Sequence, residues 1–148
     1  MSSDKGLSRV LVPVDGSALD DDILSLACEM VDRKRSIVWV LYVIEVARAL
    51  PLDAEVSVET ARGEAVLQHL EQLGKSRRCR VEGEILQARN AGPAIVQEAV
   101  ARDAELLIAG TSYQEHYGSP TLGDLVPYLL KYSPCRVLVY RGQAPVPA

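Results

Sequence analysis

Residues 36–45, SIVWVLYVIE, leave little choice of fold. The stretch is apolar throughout instead of alternating, which is how a strand reads when helices cover both faces of its sheet. Parallel neighbours in such a sheet need crossover connections of a dozen or more residues, usually helices. The flanking sequence should therefore alternate strand and helix.

RVLVPVD (9–15) is a short β-branched run stopped by Asp15-Gly16-Ser17, a strand entering a turn. A helix is predicted over 18–34, where Leu19, Ile23, Leu26, Ala27, Met30 and Val31 fall on one face. Asp20 to Asp22 in its first turn and Arg33-Lys34-Arg35 at its end suit the helix dipole. Residues 46–57 carry a proline and no period, and read as an irregular connection. Residues 58–78 read as a helix that Gly63 weakens by roughly 1 kcal/mol against alanine. CRVEGEILQ (79–87) alternates with glutamates, as an edge strand does. Gly92-Pro93 opens the next helix, since proline at the first helical position gives up only an amide with no helical partner. A strand over 104–110, a helix over 124–132 and a last strand over 135–141 complete the pattern.

This order describes an open, Rossmann-like α/β domain: five parallel strands with helices on both faces. In such sheets a ligand crevice lies beyond the carboxyl ends of the strands where their order reverses. If the first and fourth strands are neighbours there, Asp15 and Gly110 face one crevice.

Composition narrows the function. One domain is expected over all 148 residues, with its core at 8–141 and a tail at 142–148. The chain is 48% hydrophobic and 24% charged, without an apolar run near the roughly 20 residues a membrane span needs. Its opening residues lack the layout of a signal peptide, so a cytoplasmic protein with no membrane partner is expected. Net charge is −4 and KSRRCR (75–80) reads as the polar end of a helix, so no nucleic-acid partner is expected. Cys28, Cys79 and Cys135 make no CxxC pair and read as buried structural thiols, and no metal site is expected.

Three stretches together resemble the universal stress protein family: RVLVPVDGS (9–17), NAGPAIVQEAVARDAELLIAG (90–110) and LGDLVPYLLKYSPCRVLVYR (122–141). The resemblance implies a strand order of 3-2-1-4-5 and a homodimer. It also implies an ATP site in those members that carry Gly-x2-Gly-x9-Gly-Ser/Thr after the fourth strand, whereas another branch lacks the pattern and binds no nucleotide. Here Gly110 and Gly123 hold the first and third glycine positions, Tyr113 replaces the second glycine, and Asp124 replaces the final hydroxyl residue. Ser112 stands where a basic residue is common. Pro13 and Asp15 match positions that meet adenosine, and Val43 matches one whose backbone meets adenine.

The altered end is readable from physics. Proline inside a helix costs about 3 kcal/mol but is tolerated in the first turn, which makes Asp124 the N-cap and puts Pro127 at the third helical position. An aspartate cap is expected to occupy the amides that a phosphate would use, and Pro127 removes one of them. At about 5 Å and an effective dielectric near 20, Asp124 would repel each phosphate charge by roughly 3 kcal/mol. A helix N-terminus returns only about 0.3 to 2 kcal/mol. No lysine or arginine lies between Arg102 and Lys131 to offset this.

Asp15 either caps the turn into the first helix or contacts a ligand. Ser17 reads as the cap of that helix, Trp39 as core, and His69 and His116 as solvated histidines without a nucleophile to serve. Tyr113 and Tyr117 either stack on a base or shield an emptied pocket. The last strand, Arg136-Val137-Leu138-Val139-Tyr140, would lie at a sheet edge and invite pairing with a second copy. These readings describe a non-catalytic homodimeric stress-response module that needs no cofactor and can serve an unknown protein partner. The alternative is a sensor of an adenine nucleotide.

Overall fold

The computed structural model describes residues 6–111, 114–116, 119–121 and 124–142. In chain order the elements are β1 (Arg9–Val14), α1 (Leu19–Met30), β2 (Ile37–Glu45), α2 (Ser57–Ser76), β3 (Val81–Ala88) and α3 (Ala91–Ala101). There follow β4 (Leu106–Thr111), β5 (Gln114–His116), β6 (Ser119–Thr121), α4 (Leu125–Tyr132) and β7 (Arg136–Arg141). Five strands form one sheet in the order β3-β2-β1-β4-β7, all its pairs parallel. This is the expected 3-2-1-4-5 order, with β7 as fifth strand. The pair β5 and β6 was not foreseen: they form a separate antiparallel two-stranded sheet within the span read as a loop.

The apolar run of β2 is explained by two cores. Val38, Val40, Tyr42 and Ile44 face the layer that holds Leu24 of α1 and Leu70 of α2. Trp39, Leu41 and Val43 face the layer that holds Ile95 of α3 and Leu129 of α4. β1 divides likewise, with Val10, Val12 and Val14 in one core and Leu11 in the other. Leu11 and Leu107 are fully buried, so truncating either to alanine should cost about 2–5 kcal/mol. Trp39 is only half-buried, and the Arg102 guanidinium lies 5.1 Å from its ring centroid.

Several boundaries differ from expectation for visible reasons. α1 stops at Met30 because Val31 turns extended and bridges to Leu7, which leaves Arg33, Lys34 and Arg35 beyond the helix. α3 begins at Ala91, so Pro93 is its third residue instead of its first. α2 and α3 each close with a left-handed residue, Arg78 at φ 56° and Asp103 at φ 51°, followed by amides that reach back to Gly74 and Ala99. That is the Schellman arrangement. Gly63 is more than a weak point in α2, since a Cβ there would lie 2.7 Å from the Tyr42 ring. The glycine lets the helix approach β2. Cys28 and Cys79 are buried, with the Cys28 thiol hydrogen-bonded to Cys79, while Cys135 is half-buried.

The two sheet edges are unlike. At β3, Glu82 pairs with Arg80, Glu84 with Arg102, and the Gln87 amide donates 2.9 Å bonds to the carbonyls of Leu52 and Ala54. At β7, the central Val137, Leu138, Val139 and Tyr140 are half-buried apolar residues flanked by exposed Arg136 and Arg141. Leu130 and Tyr132 of the adjoining α4 are 54% and 49% exposed.

Candidate functional site

The β1–β4 ladder ends at Leu11↔Leu107, and past it a crevice of about 460 Å³ opens at the carboxyl ends of the strands. Both helix layers contribute to it. Pro13, Val14, Leu41 and Val43 come from the central strands, Leu19, Asp20 and Ile23 from α1, Ile95 from α3, and Leu125 and Val126 from α4. Asp15, Ala109, Gly110, Thr111 and Asp124 complete its polar and small-residue rim. Among the described lining residues there is no lysine or arginine.

The turn between β1 and α1 is closed by the chain's own carboxylates. Gly16 stands at φ 88°, a left-handed conformation that glycine takes without strain. Its N–H donates to Asp20 Oδ2 at 2.7 Å, and the Asp15 N–H donates to Asp20 Oδ1 at 3.5 Å. The Ser17 N–H donates to Asp15 Oδ1 at 2.9 Å, an Asx turn. Asp15 therefore does shape the entry to α1. Ser17 does not cap it: Ala18 holds the N-cap position, no side chain bonds there, and Ser17 instead accepts the Asp20 N–H through its carbonyl.

Asp20 is only 5% exposed. Burial pushes its carboxyl up to about 6; the Gly16 amide pulls the other way and the neighbouring Asp15 charge adds to the rise. Asp20 also borders a second cavity of about 440 Å³ between α1 and α2, at whose rim His69 Nε2 lies 2.9 Å from Asp21. His69 is thus exposed but paired.

A further carboxylate closes the start of α3. The Ala91 N–H donates to Glu45 Oε2 at 2.8 Å, and Asn90 makes no cap bond. Across the crevice, Asp124 holds the N-cap position of α4 as expected, with Pro127 third in the helix. Its carboxylate makes no cap hydrogen bond, however, and the residue is exposed. The expected repulsion of roughly 3 kcal/mol therefore falls toward about 1 kcal/mol, because water screens an exposed charge. Pro127 is exposed and does not line the crevice.

Of the residues singled out from sequence, Pro13, Asp15, Val43, Gly110 and Asp124 come together in this crevice. Ser112, Tyr113, Tyr117 and Gly123 lie outside the described residues. Gly110 has a packing role beside any ligand role, since a Cβ there would lie 2.5 Å from Ile23 Cδ1. Asp20 and Glu45 were missed. For Asp20 a signal existed: Asp20, Ile23, Leu24 and Ala27 repeat at helical spacing, which puts one aspartate of the acidic triplet on the buried stripe.

The fold and crevice define a doubly wound α/β domain with its cavity at the switch point of strand order. The family model for universal stress proteins matches residues 6–141, and the chain belongs to that family. The universal stress protein MJ0531 of Methanocaldococcus jannaschii is 24% identical over 139 residues, covering 90% of this chain and 81% of that protein. A universal stress protein of Archaeoglobus fulgidus superimposes with a TM-score of 0.74 at 16% identity, over 89% of this chain and 97% of that one. One from Arabidopsis thaliana, solved with AMP bound, has a TM-score of 0.68 at 17% identity over 93% of each chain. Among the described residues no helix is long and apolar enough to cross a membrane.

Proposed function

We propose that this chain is a non-catalytic, homodimeric stress-response module whose crevice does not hold ATP at cellular strength. The observation that carries this reading is the lining of the crevice: Asp15, Asp20 and Asp124 are part of it, and no described lining residue is cationic. A triphosphate needs donors and positive charge around it. ATP affinity is expected to fall at least about a hundredfold below that of a family member with the full glycine pattern. Dimerisation is assigned to β7, whose half-buried apolar centre leaves an unpaired edge. The cytoplasm is the expected compartment.

Two measurements test this. Calorimetric titration with ATP and Mg²⁺ should give no micromolar site; micromolar affinity overturns the ATP half. Light scattering at tens of micromolar should give a dimer, and Val139→Lys in the middle of β7 should give a monomer. A monomeric wild type overturns the dimer half.

A second reading is favoured by the apolar end of the same crevice, where Pro13, Leu41, Val43 and Ile95 form a wall fit for a flat base. In that reading the protein senses an adenine compound with few phosphates or none, as the AMP-bound relative from Arabidopsis thaliana suggests. An adenine spectrum from the purified protein after denaturation would support it.

A further inference from the structure

Backbone amides around the crevice end on the chain's own carboxylates. Asp20 takes those of Asp15 and Gly16, Asp15 takes that of Ser17, and Glu45 takes that of Ala91. A turn of successive amides is the usual cradle of a bound anion. Here Asp20 occupies that place, and at 5% exposure it is the most deeply buried of the acidic residues lining the crevice. Water screens a charge in that position far less than one at the rim.

We propose that Asp20 is an internal anion filling the amide site at the floor of the crevice, and that the crevice therefore takes an uncharged, hydrogen-bond-donating ligand of nucleoside size in preference to its phosphorylated forms. The proposal rests on the second reading above, that an adenine-type compound enters here. A phosphate brings acceptor oxygens and negative charge to a floor whose donors are occupied by a carboxylate. Ribose hydroxyls and an exocyclic amine bring donors, which a carboxylate rim accepts. Asp15 keeps an oxygen beyond the one that accepts from Ser17, and the Asp124 carboxylate makes no cap bond. Among the described residues the start of α4 is the remaining place for an anion. There Asp124 adds its charge and Pro127 lacks an N–H.

The test compares the full-length wild type with Asp20→Asn, which keeps an acceptor for the Gly16 amide and removes the charge. At pH 8, calorimetric titration of the wild type should show adenosine binding at least about tenfold more tightly than AMP. In Asp20→Asn that ratio should shrink below about threefold. A wild type that holds AMP as tightly as adenosine overturns the proposal, as does an unchanged ratio in the variant. If neither compound binds the wild type, the adenine reading fails and takes the ligand half of the proposal with it. Inorganic phosphate decides the role of Asp20 separately. It should raise the melting temperature of Asp20→Ala, which frees the Gly16 amide, and not of the wild type, and equal shifts in both overturn the internal-anion role. If Asp20→Asn does not fold, Asp20→Ser, whose hydroxyl can still accept from Gly16, serves in its place with the same expected outcomes.

Discussion

On the β1 side of the crevice three consecutive amides, those of Asp15, Gly16 and Ser17, end on carboxylates that the chain supplies, one of them buried. On the β4 side Asp124 stands at the start of α4 with an exposed carboxylate that bonds to no cap amide. Both sides carry aspartate beside backbone donors, yet only on the β1 side do the carboxylates bond to them, and only Asp20 is buried. A buried carboxylate fixes a turn and sets a field that solvent cannot quench, whereas an exposed one does little of either. The position of each along its helix explains the difference. Asp20 lies on the stripe of α1 that faces the core, and Asp124 precedes the first residue of α4.

The largest expected consequence is in the pH dependence of stability. The Asp20 carboxyl is raised from an ordinary value of 3.8 to about 6 in the folded protein. Between those values the folded state binds more protons than the unfolded chain, so this group makes stability fall as pH rises from about 4 to about 6. Below that window it costs nothing, and above it the full penalty of about 3 kcal/mol is present. Of the groups around it, Asp15 and Asp21 add like charge, His69 is taken up by Asp21, and the Arg62 guanidinium lies 3.6 Å from where a Gly16 Cβ would stand. Asp20→Asn should gain about 2–3 kcal/mol on the wild type between pH 4 and pH 7 in urea unfolding. A difference between the two proteins that stays flat across that range would remove the contrast with Asp124.

How much of this the sequence makes legible depends on whether a residue acts through its place in a pattern or through a partner far along the chain. The unbroken run of β2 announced a doubly covered parallel sheet because burial on both faces leaves a mark at every residue. The Asp15-Gly16-Ser17 turn and the cap position of Asp124 were readable for the same reason, being local. Glu45 as partner of the Ala91 amide spans 46 residues, and no spacing rule reports such a bond. Ser17 misled because a hydroxyl residue before a helix usually caps it; here the inward-facing Asp20 reached the turn first. The strands β5 and β6 went unseen because three-residue strands are too short to establish an alternation.

Gly110 sharpens the comparison on the β4 side. Its glycine pattern suggested clearance for a ligand, while the structure gives it a neighbour, Ile23 Cδ1, at 2.5 Å from where a Cβ would stand. Ile23 is 1% exposed, and its Cδ1 has to shift toward the crevice it lines before a Cβ fits. Gly110→Ala should therefore lose about 1–2 kcal/mol with no ligand present. An unchanged melting temperature in the ligand-free variant would return Gly110 to the role of ligand clearance alone.

The smallest effect is the most discriminating. An aspartate that caps a helix through its side chain costs about 1 kcal/mol when replaced by alanine, and surface substitutions without such a role stay within about 0.5 kcal/mol. Because the Asp124 carboxylate makes no cap bond, Asp124→Ala should fall in the second group. Denaturant unfolding of this variant beside Asp20→Asn measures the asymmetry directly. A loss of 1 kcal/mol or more in Asp124→Ala, by about the cap value, would mean that its carboxylate closes the α4 amides in solution. The two sides of the crevice would then be alike, each sealed by its own aspartate, and the rejection of phosphate would be shared between them instead of resting on Asp20.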